Sequence, residues 1–206
     1  MITYPLSLPS VSGFTEFTWA PRSNIAYQES EFSYHSKIYE WDGQRRQFSA
    51  RIGNMDQEAF ALWQAFFGKL NGIRGTFLMQ DPVAAAIRGD YDYDTGYIPR
   101  VKGGSQNGAV METDGWPEGV TDLLVAGDWI SIGNRLYHLL ENADSDTNGD
   151  ASLTVWPHIR TNVADNAVIS VGVQAFGEFR LSAFPQVTYD VDHRVKFIVV
   201  TGMEAF

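Results

Sequence analysis

A short polar stretch, DSDTNGDASLTVWP at residues 144–157, begins like a calcium-binding loop, with carboxylates at its first and third positions, Asn at the fifth and Gly at the sixth. An EF-hand loop also needs a bidentate Glu at its twelfth position, which here is Val155. Strand-like apolar segments flank the stretch where an EF-hand has helices. The pattern therefore predicts the polar loop of a β-hairpin. A weakly held cation at the loop tip is the alternative, because three acids lie close together in sequence.

A second acidic run, GDYDYDTGY, places Asp90, Asp92 and Asp94 at every second position. In a strand these three carboxylates would share one face, where they could bind a divalent cation or perform acid–base chemistry as in a hydrolase. The favoured interpretation is a solvent-facing edge, with Tyr91 and Tyr93 packed on the other side. Charged edges of this kind also prevent strand-to-strand aggregation.

The four histidines give no catalytic or metal motif; they are His35, His138, His158 and His193. The chain has no Gly-x-Ser-x-Gly nucleophile elbow and no HExxH pair. The glycine-rich GGSQNG lacks the Lys-Ser/Thr ending of a phosphate-binding loop. We therefore predict no catalytic residue, no cofactor and no metal site, and the chain is not expected to be an enzyme.

Aromatic residues suggest a different chemistry, because six tryptophans and nine tyrosines would suit a carbohydrate-binding β module in which rings stack on sugar faces. Trp129 and Trp156 lie in apolar strand patterns, which predicts core positions. Trp116, in TDGWPEG, is the candidate for an exposed ring. Carbohydrate binding that aids attachment to a cell surface is therefore kept as an alternative function.

Composition narrows the class of protein. The chain has 206 residues, no cysteine and a formal net charge of −10. Disulfides and thiolate metal sites are thus excluded, and so acidic a chain is not expected to grip nucleic-acid phosphates. The start, MITYPLSLPS, lacks the pattern of a signal peptide, and no apolar run is long enough to span a membrane. The expected location at synthesis is the cytoplasm.

One segment, residues 54–72, has helical periodicity. Asn54 is the predicted N-cap and Asn71-Gly72 the predicted left-handed C-cap. The helix would pack its apolar stripe on a sheet; the stripe consists of Ala59, Trp63, Phe66, Phe67 and Leu70.

The rest of the chain has the pattern of strands. Residues 37–41 and 47–52 flank Asp42-Gly43, which predicts a tight hairpin. In FTEFTW, alternation puts Phe17 and Trp19 on one face and Phe14 on the other.

The fold class that follows is α+β and mainly β. Residues 123–173 contain short strands joined by polar turns, typical of a barrel-like or OB-like module of five or six strands. Both ends of the chain would form one domain, and the module interrupts it.

Several sequence pieces occur in a recognisable order: YPLSLP, the helix followed by RGTFLMQDP, then AGDWISIG, LTVWPHIR and GEFRLSA. This series resembles the distal tail proteins of bacteriophages with long non-contractile tails, and of related phage-like particles. The resemblance extends from about residue 4 to about residue 195. Gln80 departs from it, since Gly is expected there before Asp-Pro.

The resemblance implies a structural protein of the virion tail tip that forms a hexameric ring. A β-sandwich-like belt domain, residues 1–88 and 173–206, would form the ring, and an inserted module, residues 89–172, would lie outside it. Expected partners are further copies of the chain, the tail tube protein, the hub and tail-tip proteins, and the tape measure protein. DNA would pass through the lumen without specific binding, and the virion would assemble in the bacterial cytoplasm.

Two segments would suit contacts between subunits of such a ring. VTYDVDHRVKFIVV, residues 187–200, is predicted as one long strand that pairs across subunits. The extended start, MITYPLSLP, is either an arm that lies over a neighbour or a frayed terminus. The net charge of −10 further suggests an acidic lumen along which DNA slides.

Overall fold

The computed structural model describes residues 2–11, 13–53, 55–82, 86–93, 96–189 and 195–206. Within these residues the fold is mainly β, with two sheets and one α-helix, which confirms the predicted α+β, mainly β class. None of the helical structure described is long and apolar enough to cross a membrane. In chain order the elements are β1 (Leu6–Ser7), β2 (Phe14–Glu29), β3 (Ser36–Gly53), α1 (Gln57–Leu70), β4 (Thr76–Met79), β5 (Arg100–Val101), β6 (Gly108–Asp114), β7 (Trp129–Ile132), β8 (Arg135–Leu139), β9 (Ala151–Ile159), β10 (Ile169–Val171), a 3-10 turn (Gly172–Gln174), β11 (Gly177–Leu181), β12 (Gln186–Tyr189) and β13 (Val195–Glu204).

The first sheet takes its strands from both ends of the chain. Its order is β1-β4-β11-β13-β3-β2, and β12 also pairs with β13. β4 and β11 carry two of the predicted strand segments, RGTFLMQDP and GEFRLSA, and lie side by side with Phe77 opposite Phe179. Distant parts of the sequence thus meet in one sheet.

The second sheet comes from the middle of the chain and is antiparallel, in the order β10-β7-β8-β9-β6-β5. Its two ends approach each other, because Arg100 forms an isolated bridge with Val168 and the Ile169 N–H donates to the Pro99 carbonyl at 2.9 Å. The sheet is therefore a nearly closed barrel, as the predicted barrel-like module requires.

Helix α1 covers the first sheet through its predicted stripe. Ala59, Trp63, Phe66 and Leu70 are buried, and Phe67 is partly buried. The helix begins after Asp56, whose carboxylate accepts the Ala59 N–H at 2.8 Å. Asp56 is thus the N-cap; the residue predicted for that role, Asn54, lies outside the described residues. At the other end Asn71 adopts the predicted left-handed conformation, with φ of 51°.

The hairpin predicted around Asp42-Gly43 is wrong. Residues 36–53 form the single strand β3, which pairs with β2 through a turn at residues 30–35. The pairing register shifts between Arg22 and Asn24, so Asp42-Gly43 lies in a bulge instead of a turn. A Cβ added at Gly43 would lie 3.0 Å from the Asn24 Cβ, so the tightness of this bulge accounts for the glycine.

Two other strand predictions need correction. Residues 187–200 are not one strand, because β12 and β13 pair with each other in antiparallel fashion; His193 lies outside the described residues. In β2, a register shift between Phe14 and Glu16 interrupts the alternation. Phe14 therefore packs on the core beside Phe17, with ring centroids 5.3 Å apart, instead of facing away from it.

The start of the chain is not a frayed end, and a contact with a neighbouring copy stays a prediction. β1 pairs in parallel with β4, and the Tyr4 hydroxyl donates to the Lys69 carbonyl at 2.6 Å. Tyr4, Leu6 and Leu8 also pack on the core beneath α1. This segment is an edge strand of its own sheet.

The described residues form two hydrophobic clusters, one for each sheet. One cluster lies under α1 and the other lies inside the barrel. Leu136 of β8 belongs to the cluster under α1, and Trp129 of β7 packs against that cluster. The sheets are therefore packed against each other and not merely joined by linkers. The domain boundaries at 88/89 and 172/173 stay predictions.

Candidate functional site

The acidic run at residues 90–94 does not form a chemical site among its described members. Asp90 and Asp92 are exposed on irregular backbone, and Asp94 lies outside the described residues. Tyr91 is buried, and the Tyr93 hydroxyl donates to the Val171 carbonyl at 2.6 Å. The predicted separation of exposed acids from packed tyrosines is confirmed for these four residues, although no strand forms here.

The DSDTNGD stretch joins β8 to β9, which confirms the predicted hairpin loop. Its central carboxylate, on Asp146, accepts the N–H groups of Asn148 at 2.7 Å and Asp150 at 2.9 Å. These hydrogen bonds lower the pKa of Asp146, because they favour the charged carboxylate. No three His, Asp or Glu side chains gather as a metal site within the described residues. The Asp146 carboxylate therefore stabilises the turn of this loop.

The expectation that Trp116 is exposed is wrong. Its side chain is 1% exposed, stacks edge-on against Tyr91 at 5.2 Å and donates its indole N–H to the Thr113 hydroxyl at 2.8 Å. The ring is therefore part of the barrel core. This removes the residue on which sugar binding by the module was predicted.

A projecting hairpin is the most conspicuous surface feature. Residues 24–41 of β2 and β3 extend beyond the rest of the first sheet, because β13 pairs with β3 only from residue 47 onward. We call residues 24–41 the arm. Every arm residue whose side chain is described is exposed except Ser30, and neither outer edge of the arm pairs with another described strand.

The arm exposes large apolar side chains at its tip and on both faces. At the tip, Phe32 is 97% exposed and Tyr34 is 78% exposed. Residues directly opposite each other in an antiparallel pair share a face, so the cross-strand register assigns the others. The first face carries Ile25, Tyr27, Ile38, Glu29 and Glu40; the second carries Ala26, Tyr39, Trp41 and Lys37.

Such a surface is unusual for an isolated chain. A two-stranded hairpin is marginally stable in water without a packed face, and contiguous exposed apolar side chains mark interaction sites. The pattern of residues 24–41 did not predict this surface, because Ile25, Tyr27 and Tyr39 are residue types typical of a half-buried strand. They are exposed because no described strand pairs with the outer edges of the arm.

At the base of the arm, the side chain of Arg46 enters the junction between the two sheets. It is 2% exposed, and Nη1 lies 3.0 Å from the Glu204 Oε1 of β13. Nη1 also donates to the Leu136 carbonyl, and Nη2 donates to the Trp156 carbonyl at 2.7 Å. One guanidinium thereby joins β3 and β13 of the first sheet to β8 and β9 of the barrel.

Aromatic rings complete the Arg46 site. The guanidinium carbon lies 4.7 Å from the centroid of Trp129 and 4.8 Å from that of Trp156. Both tryptophans are half-buried, so their predicted core positions correspond to this junction. Burial lowers the pKa of Arg46, while Glu204 opposes that shift. Hydrogen-bond acceptors thus surround the edge of the guanidinium, and the tryptophan rings make cation–π contacts with it.

His138 supplies another acceptor, since its Nδ1 lies 2.8 Å from Arg46 Nη2. A guanidinium can only donate, so Nδ1 is unprotonated and the ring proton resides on Nε2. Burial, and then the charge of Arg46, lower the pKa of His138 to about 4. The ring is therefore neutral at pH 7. Its role here is structural, as an acceptor for Arg46.

Backbone contacts extend the junction on either side of Arg46. The His158 N–H donates to the Gln44 side chain at 2.9 Å, and the Glu178 N–H donates to the Asn134 carbonyl at 2.7 Å. Gln44 and Arg46 both lie on the inner face of β3, immediately next to the arm. The orientation of the arm is thus tied to that of the barrel.

No protein-family model matches this chain, and no curated protein matches it significantly.

Arg46→Met is expected to destabilise the protein by about 3–5 kcal/mol, because it leaves the Glu204 carboxylate buried without its cation. The matched control is Arg51→Met on the same strand, where the pair with Glu16 is 40% and 63% exposed. That change should cost about 0–1 kcal/mol. Urea unfolding monitored by tryptophan fluorescence measures both. Equal losses in the two variants would contradict the role given to Arg46.

The pKa of His138 predicts a pH dependence of stability. In the folded protein the pKa is about 4, below the ordinary value of 6.5, so folding disfavours protonation. The stabilisation is present above pH 6.5 and is lost as the pH falls toward 4. Allowing for the partial exposure of the ring, we expect this loss to be on the order of 1–2 kcal/mol.

Urea unfolding of the wild type and of His138→Gln at pH 7 and pH 4.5 checks this dependence. Both proteins share every other titrating group, so the wild type should lose more stability than the variant between the two pH values. An identical loss in both would show that His138 does not titrate as described.

Proposed function

We propose that this chain is a structural protein of a phage tail tip, where copies form a hexameric ring that connects the tail tube to the hub and the receptor-binding apparatus. The observation that carries the proposal is the arm. A hairpin with exposed aromatic side chains on both faces and two unpaired edges suits a contact with another protein chain. A closed oligomeric ring supplies that contact in every copy.

The resembling segments support the proposal through their places in the fold. RGTFLM and GEFRL form neighbouring strands of the first sheet, and WISI and LTVWPHI form β7 and β9 of the barrel. The same segments supply Trp129 and Trp156, which enclose Arg46. The resembling segments thus lie mainly in the two hydrophobic cores and in the junction that fixes the arm relative to the barrel. Such positions are expected of residues whose role is to stabilise the fold.

We propose no catalytic role. Three of the acidic and histidine side chains have structural roles in the fold: Asp146 caps a turn, His138 accepts from Arg46, and Asp128 accepts the N–H groups of Arg88 and Val125. The carbohydrate-binding alternative has lost its candidate exposed ring, because Trp116 is buried.

In this proposal the partners are other copies of the chain, the tail tube, hub and tape measure proteins, and the location is the virion. The net charge of −10 suits a lumen that DNA crosses without sticking, since an acidic wall repels phosphate. A neutral or basic inner wall, once the ring is seen, would contradict that part of the proposal.

Negative-stain imaging and analytical ultracentrifugation of the purified chain test the ring. We expect six-fold rings from the wild type, and a folded monomer from Ile38→Asn, which places an amide on an apolar face of the arm. Leu140→Asn is the control, since Leu140 is exposed by 46% but lies on the barrel; it should still form rings. A wild type that stays monomeric at its highest soluble concentration would contradict the proposal, whereas rings that survive in Ile38→Asn would contradict only the role given to the arm.

A further inference from the structure

The two faces of the arm differ in charge. On the first face, Glu29 and Glu40 flank the apolar group of Ile25, Tyr27 and Ile38. On the second face, Lys37 lies beside Tyr39 and Trp41. Each face is thus an apolar patch with a charged rim, acidic on one side and basic on the other.

Two kinds of contact could cover the arm: pairing of its open edges with another strand, or packing of its faces. Edge pairing would satisfy backbone groups but leave side chains such as Ile38, Tyr39 and Trp41 exposed, at 66%, 54% and 52%. Face packing removes those side chains from water, and apolar burial is the larger driving force for association. The apolar content of both faces favours packing.

The charges then select the pairing of faces. Like faces in contact would place Glu29 and Glu40 of one copy against the same acids of another, and such like-charge contacts are costly. Contact between unlike faces places Lys37 of one copy against the acidic rim of the next.

We propose that arms of neighbouring copies pack head to tail, with the acidic face of one arm against the Lys37 face of the next. Each copy then offers one face of each kind, so the contact repeats from copy to copy and closes into a ring when the rotation permits. This inference rests on the proposed ring and specifies the surface by which its subunits recognise each other.

Charge reversal tests the pairing in solution. The variants are Lys37→Glu, the double variant Glu29→Lys/Glu40→Lys, and the triple variant that combines them, compared by sedimentation at low and high salt. Glu31→Lys is the control, because Glu31 lies in the exposed turn beyond the paired strands of the arm. Each of the first two variants gives both faces of the arm the same sign of charge. This should weaken self-association by about tenfold or more at low salt.

The triple variant exchanges the signs of the two faces and should restore association to near the wild-type level, while high salt should reduce all these differences. Glu31→Lys should associate like the wild type. Association unchanged by Lys37→Glu would indicate contact between acidic faces or edge pairing, and would overturn the inference. A triple variant as weak as the other two, or a wild type that does not associate, would also overturn it.

The same data separate this inference from the proposed function. If all the charge-reversal variants still form six-fold rings, head-to-tail arm packing is refuted and the proposed function is not contradicted. The reversal pattern found in dimers or open chains, without rings, would support the arm contact and refute the ring.

Discussion

The buried guanidinium of Arg46 is the contact on which the arrangement of this protein depends. A charge withdrawn from water is costly unless its N–H groups find acceptors, and here the acceptors come from β8, β9 and β13. Displacing any one of these strands would remove a hydrogen-bond acceptor from the buried guanidinium. The junction therefore fixes the first sheet, the barrel and the base of the arm relative to one another, as the proposed ring would require of its subunit.

Local patterns predicted the elements whose partners are close in sequence. The stripe of α1 and the loop at residues 144–150 were recognisable because helical spacing and turn residues act over a few positions. Asp42-Gly43 and Trp116 were misplaced because their outcomes depend on remote strands: the register of β2 in one case, and the Tyr91 ring and the packed barrel in the other. The same limit applies to β1, whose partner β4 lies far along the chain.

The junction and the arm were not predicted. Arg46 lies in QRRQF, which resembles a charged surface segment, yet it occupies the same alternating positions as Phe48, Ala50 and Ile52, all buried. That alternation was the one available signal. The arm could not be recognised because its exposure results from the absence of a neighbouring strand among the described residues. The exposure of the arm is consequently a property of the fold, and Asp146 and His138 are among the side chains that keep that fold in place.

Hydrogen–deuterium exchange on the associated and the dilute protein tests most directly whether the arm is the contact between copies. On association we expect the amides of residues 24–41 to become protected, because packing removes them from water, while barrel loops such as residues 144–150 exchange at an unchanged rate. Protection confined to the barrel, with an arm that exchanges as fast as in the dilute protein, would contradict the account.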